Sequence, residues 1–316
     1  MDNTKKYIRF TKDYNLPVNI FDEDMFAYYR ELYTDFWPHK AEELMEKEIE
    51  ECGSVDEWLK KYGEFRDNII NTLENSEEWK EFNQCDMSQY AVSSTVGERS
   101  IYTEEQDNCN FVSIDLKKAN FQVLKSIGAI KEPTYEDFIY SFGGSQYFAG
   151  SKYLRQVIFG KLNPKRIITY EKYLIHKVLM VVQERHPEWN LFSIMHDELI
   201  FKMDADTFPE DMETSNLTAV IKDTLGLDVR VELIHVERLP VVNYKGDKVD
   251  AYIAHIRRNV CSFERKLKKV STTFYPQVWR LYKKEEIQEN DLKFFFEGQV
   301  CKFIEPLKLN YLNLKK

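Results

Sequence analysis

Leu191-Phe192-Ser193-Ile194-Met195-His196-Asp197-Glu198-Leu199-Ile200-Phe201-Lys202-Met203 runs apolar up to His196-Asp197-Glu198 and apolar away from it. Two short apolar runs around a polar tripeptide predict a tight β-hairpin with two adjacent carboxylates at its tip. A second run ends the same way. Val112-Ser113-Ile114-Asp115-Leu116 predicts a strand that delivers Asp115 at its end. These two segments set the frame for the rest of the chain.

Between them the pattern is mainly helical. Lys117–Gly128 reads as a helix with Ala119, Val123, Leu124 and Ile127 on one side. Pro133-Thr134-Tyr135-Glu136-Asp137 opens another, with acids in its first turn. Ser141-Phe142-Gly143-Gly144-Ser145 breaks it. Ser151–Phe159 carries Lys152 and Arg155, and Arg166–Arg185 forms a long helix leading to the hairpin. After the hairpin, Ser215–Leu225 reads as a helix stopped by Gly226, and Asp228–His235 alternates as a strand. Val241-Val242 and Tyr252-Ile253 are candidate extensions of the sheet.

Before Asp115 the chain reads as a short strand at Tyr7-Ile8-Arg9-Phe10, then helices from Asp24 to about Phe82. Ser54-Val55-Asp56-Glu57 has the form of a capping box. Residues 41–80 hold thirteen Asp/Glu against five Lys/Arg, an acidic face that is solvated or a docking surface for a basic protein partner. Ala91–Val96 and Arg99–Tyr102 read as further strands of an antiparallel meander. At the other end, residues 255–284 hold nine Lys/Arg and one acid, Glu264, interleaved with Phe263, Phe274, Tyr275 and Trp279. That stretch reads as basic and helical.

The chain has 316 residues, 43% hydrophobic, with 19 Tyr and 21 Phe, enough for a sizeable core. No apolar run approaches the ~20 residues that span a bilayer, and MDNTKKYIRF lacks a signal-peptide core. An intracellular protein without a membrane partner is expected. Five scattered cysteines offer no zinc knuckle and no disulfide framework. The net charge of −9 argues against nucleic acid globally, but the basic C-terminal stretch runs against that sum.

Two acids at the ends of separate strands, with cations on a helix between them in sequence, suit two-metal phosphoryl chemistry. Hard oxygen ligands select Mg²⁺ or Mn²⁺, two ions. Cations facing them neutralise a triphosphate.

Three motifs carry a resemblance. His196-Asp197-Glu198 between apolar strands resembles the third palm motif of family A DNA polymerases. Ser113-Ile114-Asp115-Leu116-Lys117-Lys118-Ala119-Asn120-Phe121 resembles the first palm motif of right-hand polymerases, closest in wording to reverse transcriptases. Arg155-Gln156-Val157-Ile158-Phe159-Gly160 is similar to the family A fingers helix. They occur in the family's order. The resemblance implies an α+β right-hand polymerase fold built on an antiparallel palm sheet. It would comprise an acidic helical N-terminal region (1–87), a palm (88–128 and 191–253), short helical fingers (129–190) and a basic helical thumb (254–316).

It further implies template-directed nucleotide addition without proofreading, on a nucleic acid template-primer with nucleoside triphosphates. Asp115, Asp197 and Glu198 are then the catalytic acids. The metals fall to Asp115, Asp197 and the Leu116 position, with His196 supporting. Asn120, Lys152, Arg155 and Phe159 meet the nucleotide, and Arg257, Arg258, Arg265, Lys268 and Lys269 grip the nucleic acid backbone. Asn120 occupies the position of the sugar gate. A small amide there tolerates a 2′-hydroxyl, so RNA synthesis by a single-subunit RNA polymerase or primase is the alternative. A catalytically silent palm subunit of a replication or transcription complex, and a metal-dependent nuclease, are the others. A small stand-alone enzyme of this sort would suit a viral, phage or plasmid gene.

Overall fold

The computed structural model describes residues 3–204, 211–259 and 261–311. The chain opens with helices α1 (Thr4–Asp13), α2 (Glu23–Leu32), α3 (His39–Cys52), α4 (Val55–Asn75) and α5 (Glu77–Gln84). Their starts follow local chemistry. The side chains of Asp22, Ser54 and Ser76 accept from the backbone N–H three residues on. Gly53 ends α3 at φ +82°, where a side chain would be strained. Tyr7-Ile8-Arg9-Phe10, expected as a strand, lies inside α1, which buries Tyr7 and Phe10 on one face.

Strand β1 (Asn110–Leu116) leads into α6 (Ala119–Ser126), α7 (Tyr135–Ser141), α8 (Gln146–Gly150), α9 (Lys152–Lys161) and α10 (Pro164–Arg185). The hairpin follows as β2 (Asn190–Ile194) and β3 (Glu198–Met203), then α11 (Asp211–Leu225) and β4 (Val229–Arg238). Short β5 (Val241–Val242) and β6 (Lys248–Val249) precede β7 (Tyr252–Asn259) and β8 (Ser262–Lys268). The chain ends with α12 (Tyr275–Lys283), β9 (Lys293–Phe296), β10 (Gln299–Lys302) and β11 (Lys308–Leu309).

Six strands form an antiparallel sheet in the order β2-β3-β1-β4-β7-β8. The expected palm strands β1, β2, β3 and β4 are all in it, and Tyr252-Ile253 extends it through β7. Val241-Val242 does not; β5 pairs instead with β6 and β11 in a small separate sheet. Residues 91–102 form no strand. They run as a loop in which the Arg99 N–H donates to Ser193 Oγ and Ile101 packs on the sheet.

The largest departure is at 254–268. The stretch expected as a helical thumb is a β-hairpin that completes the sheet at its edge. Its charges obscure a period of two: Phe263, Arg265 and Leu267 point one way, Glu264, Lys266 and Lys268 the other. A Lys- and Arg-rich edge strand is a common defence against edge-to-edge pairing. Only Tyr275–Lys283 of the expected thumb is α-helical among the described residues.

The two faces of the sheet differ. One buries Val112, Ile114, Leu116, Leu199, Phe201, Val229, Val231 and Leu233 in the main core. Each such side chain contributes about 1.5–3 kcal/mol by leaving water. The other face carries Phe111, Ile200, Ile234, Val236, Ala254 and Ile256 in a smaller cluster. Beyond that cluster the same face turns polar, at Ser113, Asp115, Glu198, Arg230, Glu232 and Arg258.

Candidate active site

The cross-strand register brings the acids together. Asp115 on β1 lies opposite Glu198 on β3 and opposite Arg230 on β4. The Leu116 N–H donates to the Asp197 carbonyl at 2.9 Å, which ties the hairpin tip to the end of β1. Gln122 fastens the other side. Its Nε2 donates to the Lys117 and Asp228 carbonyls, and its Oε1 accepts from the Asp228 N–H. That buried amide fixes the turn after Asp115 against the start of β4, where Arg230 sits.

Asp115, Leu116, Asn120, Lys152, Arg155, Gln156, Asp197 and Arg230 line one cavity of about 570 Å³. The helix facing the acids is α9. Ser151 caps it by accepting from the Leu154 N–H, and Ser151 Oγ donates to Asp13 Oδ1 at 2.8 Å. Asp13 is fully buried and also accepts from Tyr62 and Tyr147. Burial pushes its pKa up against these donors. One buried carboxylate thus holds the start of the helix that presents Lys152 and Arg155. A slightly larger cavity, about 600 Å³, opens between Trp37, Leu44, Tyr140 and Gly150 and reaches none of the sheet acids.

Electrostatics mark the acidic end of the sheet. Burial raises the pKa of Asp115 to about 7; the Asp197, Glu198 and Glu232 charges push the same way, against the lowering effect of Arg230. Glu198 is also raised by burial, while its bond from Ser113 Oγ favours the charged form. Arg155 is lowered by burial and lies over the Tyr135 ring at 5.7 Å. The ion pairs form a chain across the sheet. Arg230 Nη2 donates to Asp115 Oδ2 at 2.9 Å, and Arg230 Nε forms an ion pair with Glu232 Oε1 at 3.2 Å. Arg258 then binds Glu232 at 2.6 Å and Glu264 at 2.7 Å.

Comparison with protein-family models, curated proteins and solved structures gave no match.

Of the residues expected from sequence, Asp115, Leu116, Asn120, Lys152, Arg155 and Asp197 share the cavity. Glu198 stands beside it, opposite Asp115. His196 is exposed at the hairpin tip. Phe159, expected to meet the nucleotide, does not line this cavity. It is fully buried in the main core, its ring 6.2 Å from that of Tyr135, because it lies on the inner side of α9. The five cations expected on a helical thumb lie instead at the sheet edge and divide. Arg258 and Lys268 share the face of the acids, and Arg257 and Arg265 lie on the other. Lys269 follows β8 at φ +63°. Arg258 is committed to Glu232 and Glu264 rather than to a ligand.

Two residues of the site had no place in the sequence reading. Arg230 was legible only as an outward position of β4; its partner emerges from the register. Glu171 on α10 is 5% exposed, and its pKa rises to about 7 through burial and the charge of Asp197. Its only sequence signal was an acid in the apolar stripe with Ile167, Leu174 and Ile175.

Among the described residues no three His, Cys, Asp or Glu side chains converge as a metal centre. The donor chemistry still fits divalent cations in kind. Asp115 and Asp197 offer hard oxygen donors in one cavity, their like charges close enough to shift Asp115.

Proposed function

We propose that the protein is a template-directed nucleotidyltransferase, a small DNA polymerase lacking proofreading. The observation that carries this reading is the shared cavity: Asp115 at the end of β1, Asp197 at the hairpin tip, and Lys152 and Arg155 from α9 all line it. Acid clusters alone are common. Acids opposed by cations across a cleft, in the motif order of a palm, suit a triphosphate bridged to metal ions.

Asp115 and Asp197 would hold a pair of Mg²⁺ or Mn²⁺ ions, with the Leu116 backbone beside them. When bound, such ions supply Lewis-acid activation of the attacking hydroxyl and stabilisation of the leaving oxygen. The chain's own residues do the rest. Lys152 and Arg155 neutralise the triphosphate, and Tyr135 holds the Arg155 guanidinium by its ring face. Asn120, on the first turn of α6, lies on the cavity wall where a sugar would be sensed. Its small amide favours a second reading, nucleotide addition with ribonucleotides.

Template and primer would approach along the cationic β7–β8 edge. Lys152, Arg265, Lys266 and Lys268 line a further cavity of about 490 Å³ there, and Lys152 is common to both cavities. The acidic N-terminal helices offer a surface to a basic protein partner. No described helix is long and apolar enough to cross a membrane.

Primer extension with Mg²⁺ or Mn²⁺ tests the reading, with dNTPs and NTPs side by side on DNA and RNA templates. Wild type is expected to extend a primer, and Asp197→Ala to lose ~10³-fold or more in rate. Extension by Asp197→Ala at the wild-type rate would sink the proposal. A chain that binds template-primer but extends on no template would be a silent palm subunit.

A further inference from the structure

Arg230 stands on the carboxylate that matters most. The register sets it directly across from Asp115, and its Nη2 donates to Asp115 Oδ2 at 2.9 Å. The guanidinium also lines the cavity that holds Asp115 and Asp197. A divalent cation on Asp115 draws on the same oxygen lone pairs and is repelled by the guanidinium charge.

We infer that Arg230 is a built-in competitor for the divalent cation at Asp115: its guanidinium holds the carboxylate and gives it up when the metal binds. The inference rests on the reading of Asp115 and Asp197 as metal ligands.

The neighbouring groups make the exchange cheap. Arg230 Nε also reaches Glu232 Oε1, at 3.2 Å, so the side chain keeps a charged partner after Nη2 leaves Asp115. Glu232 is itself buried, and the same Oε1 is held by Arg258 Nε at 2.6 Å. It does not follow Arg230 into the cleft. The Arg230 side chain is 44% exposed, which leaves room to rotate without moving β4. Its Nη groups then stay in the cleft with Arg155 and Lys152. Arg230 acts through Asp115 and is a positioning residue, setting how much metal the site requires.

The test reads metal binding rather than turnover. Mn²⁺ is titrated into the full-length chain and the free ion is followed by electron paramagnetic resonance. Wild type, Arg230→Gln, Arg230→Lys and Asp115→Asn are compared, with thermal unfolding to check that each is folded. The expected result is Mn²⁺ binding lost in Asp115→Asn and tightened about tenfold in Arg230→Gln, the weight of one charge-assisted hydrogen bond. Arg230→Lys, which keeps the charge, should stay near wild type. If wild type binds Mn²⁺ through Asp115 and Arg230→Gln binds no more tightly, the competitor role is overturned and the metal reading stands. If neither wild type nor Arg230→Gln binds Mn²⁺, both are overturned.

Discussion

Glu171 shows how a single carboxylate can set the pH response of the fold. It is buried on α10, and its pKa of about 7 lies above the ordinary 4.5, through burial first and the Asp197 charge second. A raised acid binds its proton more tightly in the folded chain than in the unfolded one. Its contribution to stability is therefore fullest below about pH 4.5 and is lost as pH rises through about 7. Glu171→Gln keeps the shape and removes the charge. We expect it to stabilise the protein at pH 8 by about 2–3 kcal/mol, with the gain vanishing near pH 4.5. Urea unfolding of both proteins at pH 4.5 and pH 8 measures this. A gain of equal size at both pH values would show that the charge is not the cause. The same logic bears on Asp115, which burial also raises to about 7 despite Arg230 beside it.

At the scale of the element, the β7–β8 hairpin divides its cations into two kinds. Arg258 is locked between Glu232 and Glu264, and Glu232 is 7% exposed. Removing Arg258 leaves a buried carboxylate short of a partner. Arg258→Ala should cost about 1–3 kcal/mol. Arg265 is exposed and lies over the Phe263 ring at 5.1 Å, so Arg265→Ala should stay within about 0.5 kcal/mol. Chemical denaturation of the two variants, at one salt concentration, checks the contrast; equal costs would contradict the division. This hairpin was also what the sequence concealed. In β1 and in the β2–β3 hairpin, apolar runs end in acids, and the pattern announces both strand and site. In β8 four charged residues outnumber the apolar Phe263 and Leu267, and their bulk reads as a solvated helix until the alternation of Phe263, Arg265 and Leu267 is noticed. The strand expected at Tyr7–Phe10 failed for another reason: four residues are too few to tell one helical turn from a strand. Arg230 could not be found by any local pattern, because its role exists only across two strands.

For the whole molecule, the N-terminal helices are joined to the rest of the chain by one core. Tyr29, Tyr33, Trp58 and Ile69 share a hydrophobic cluster with Val112, Ile114, Phe201 and Val278. Tyr33 meets Tyr275 edge-on at 5.6 Å and Phe36 meets Trp279 at 5.3 Å, while the Trp279 indole donates to the Leu32 carbonyl. Asp13 adds a buried polar tie, reaching from α1 to Tyr62 on α4 and to Ser151 at the start of α9. The acidic region of residues 1–87 is therefore expected to unfold together with the sheet, in one calorimetric transition, whatever partner its outer face takes. A chain starting at residue 88 would expose the faces of α12 and α9 and leave Ser151 and Tyr147 without their carboxylate. It should show no cooperative melting. A truncated chain that melts as a unit, with near-native circular dichroism, would mean that these contacts only decorate a sheet able to fold alone. Asp13→Ala makes the same point more gently. It removes the carboxylate that three hydroxyls share and should lower stability by about 3–5 kcal/mol, with the loss spread over the whole transition rather than confined to the first helix.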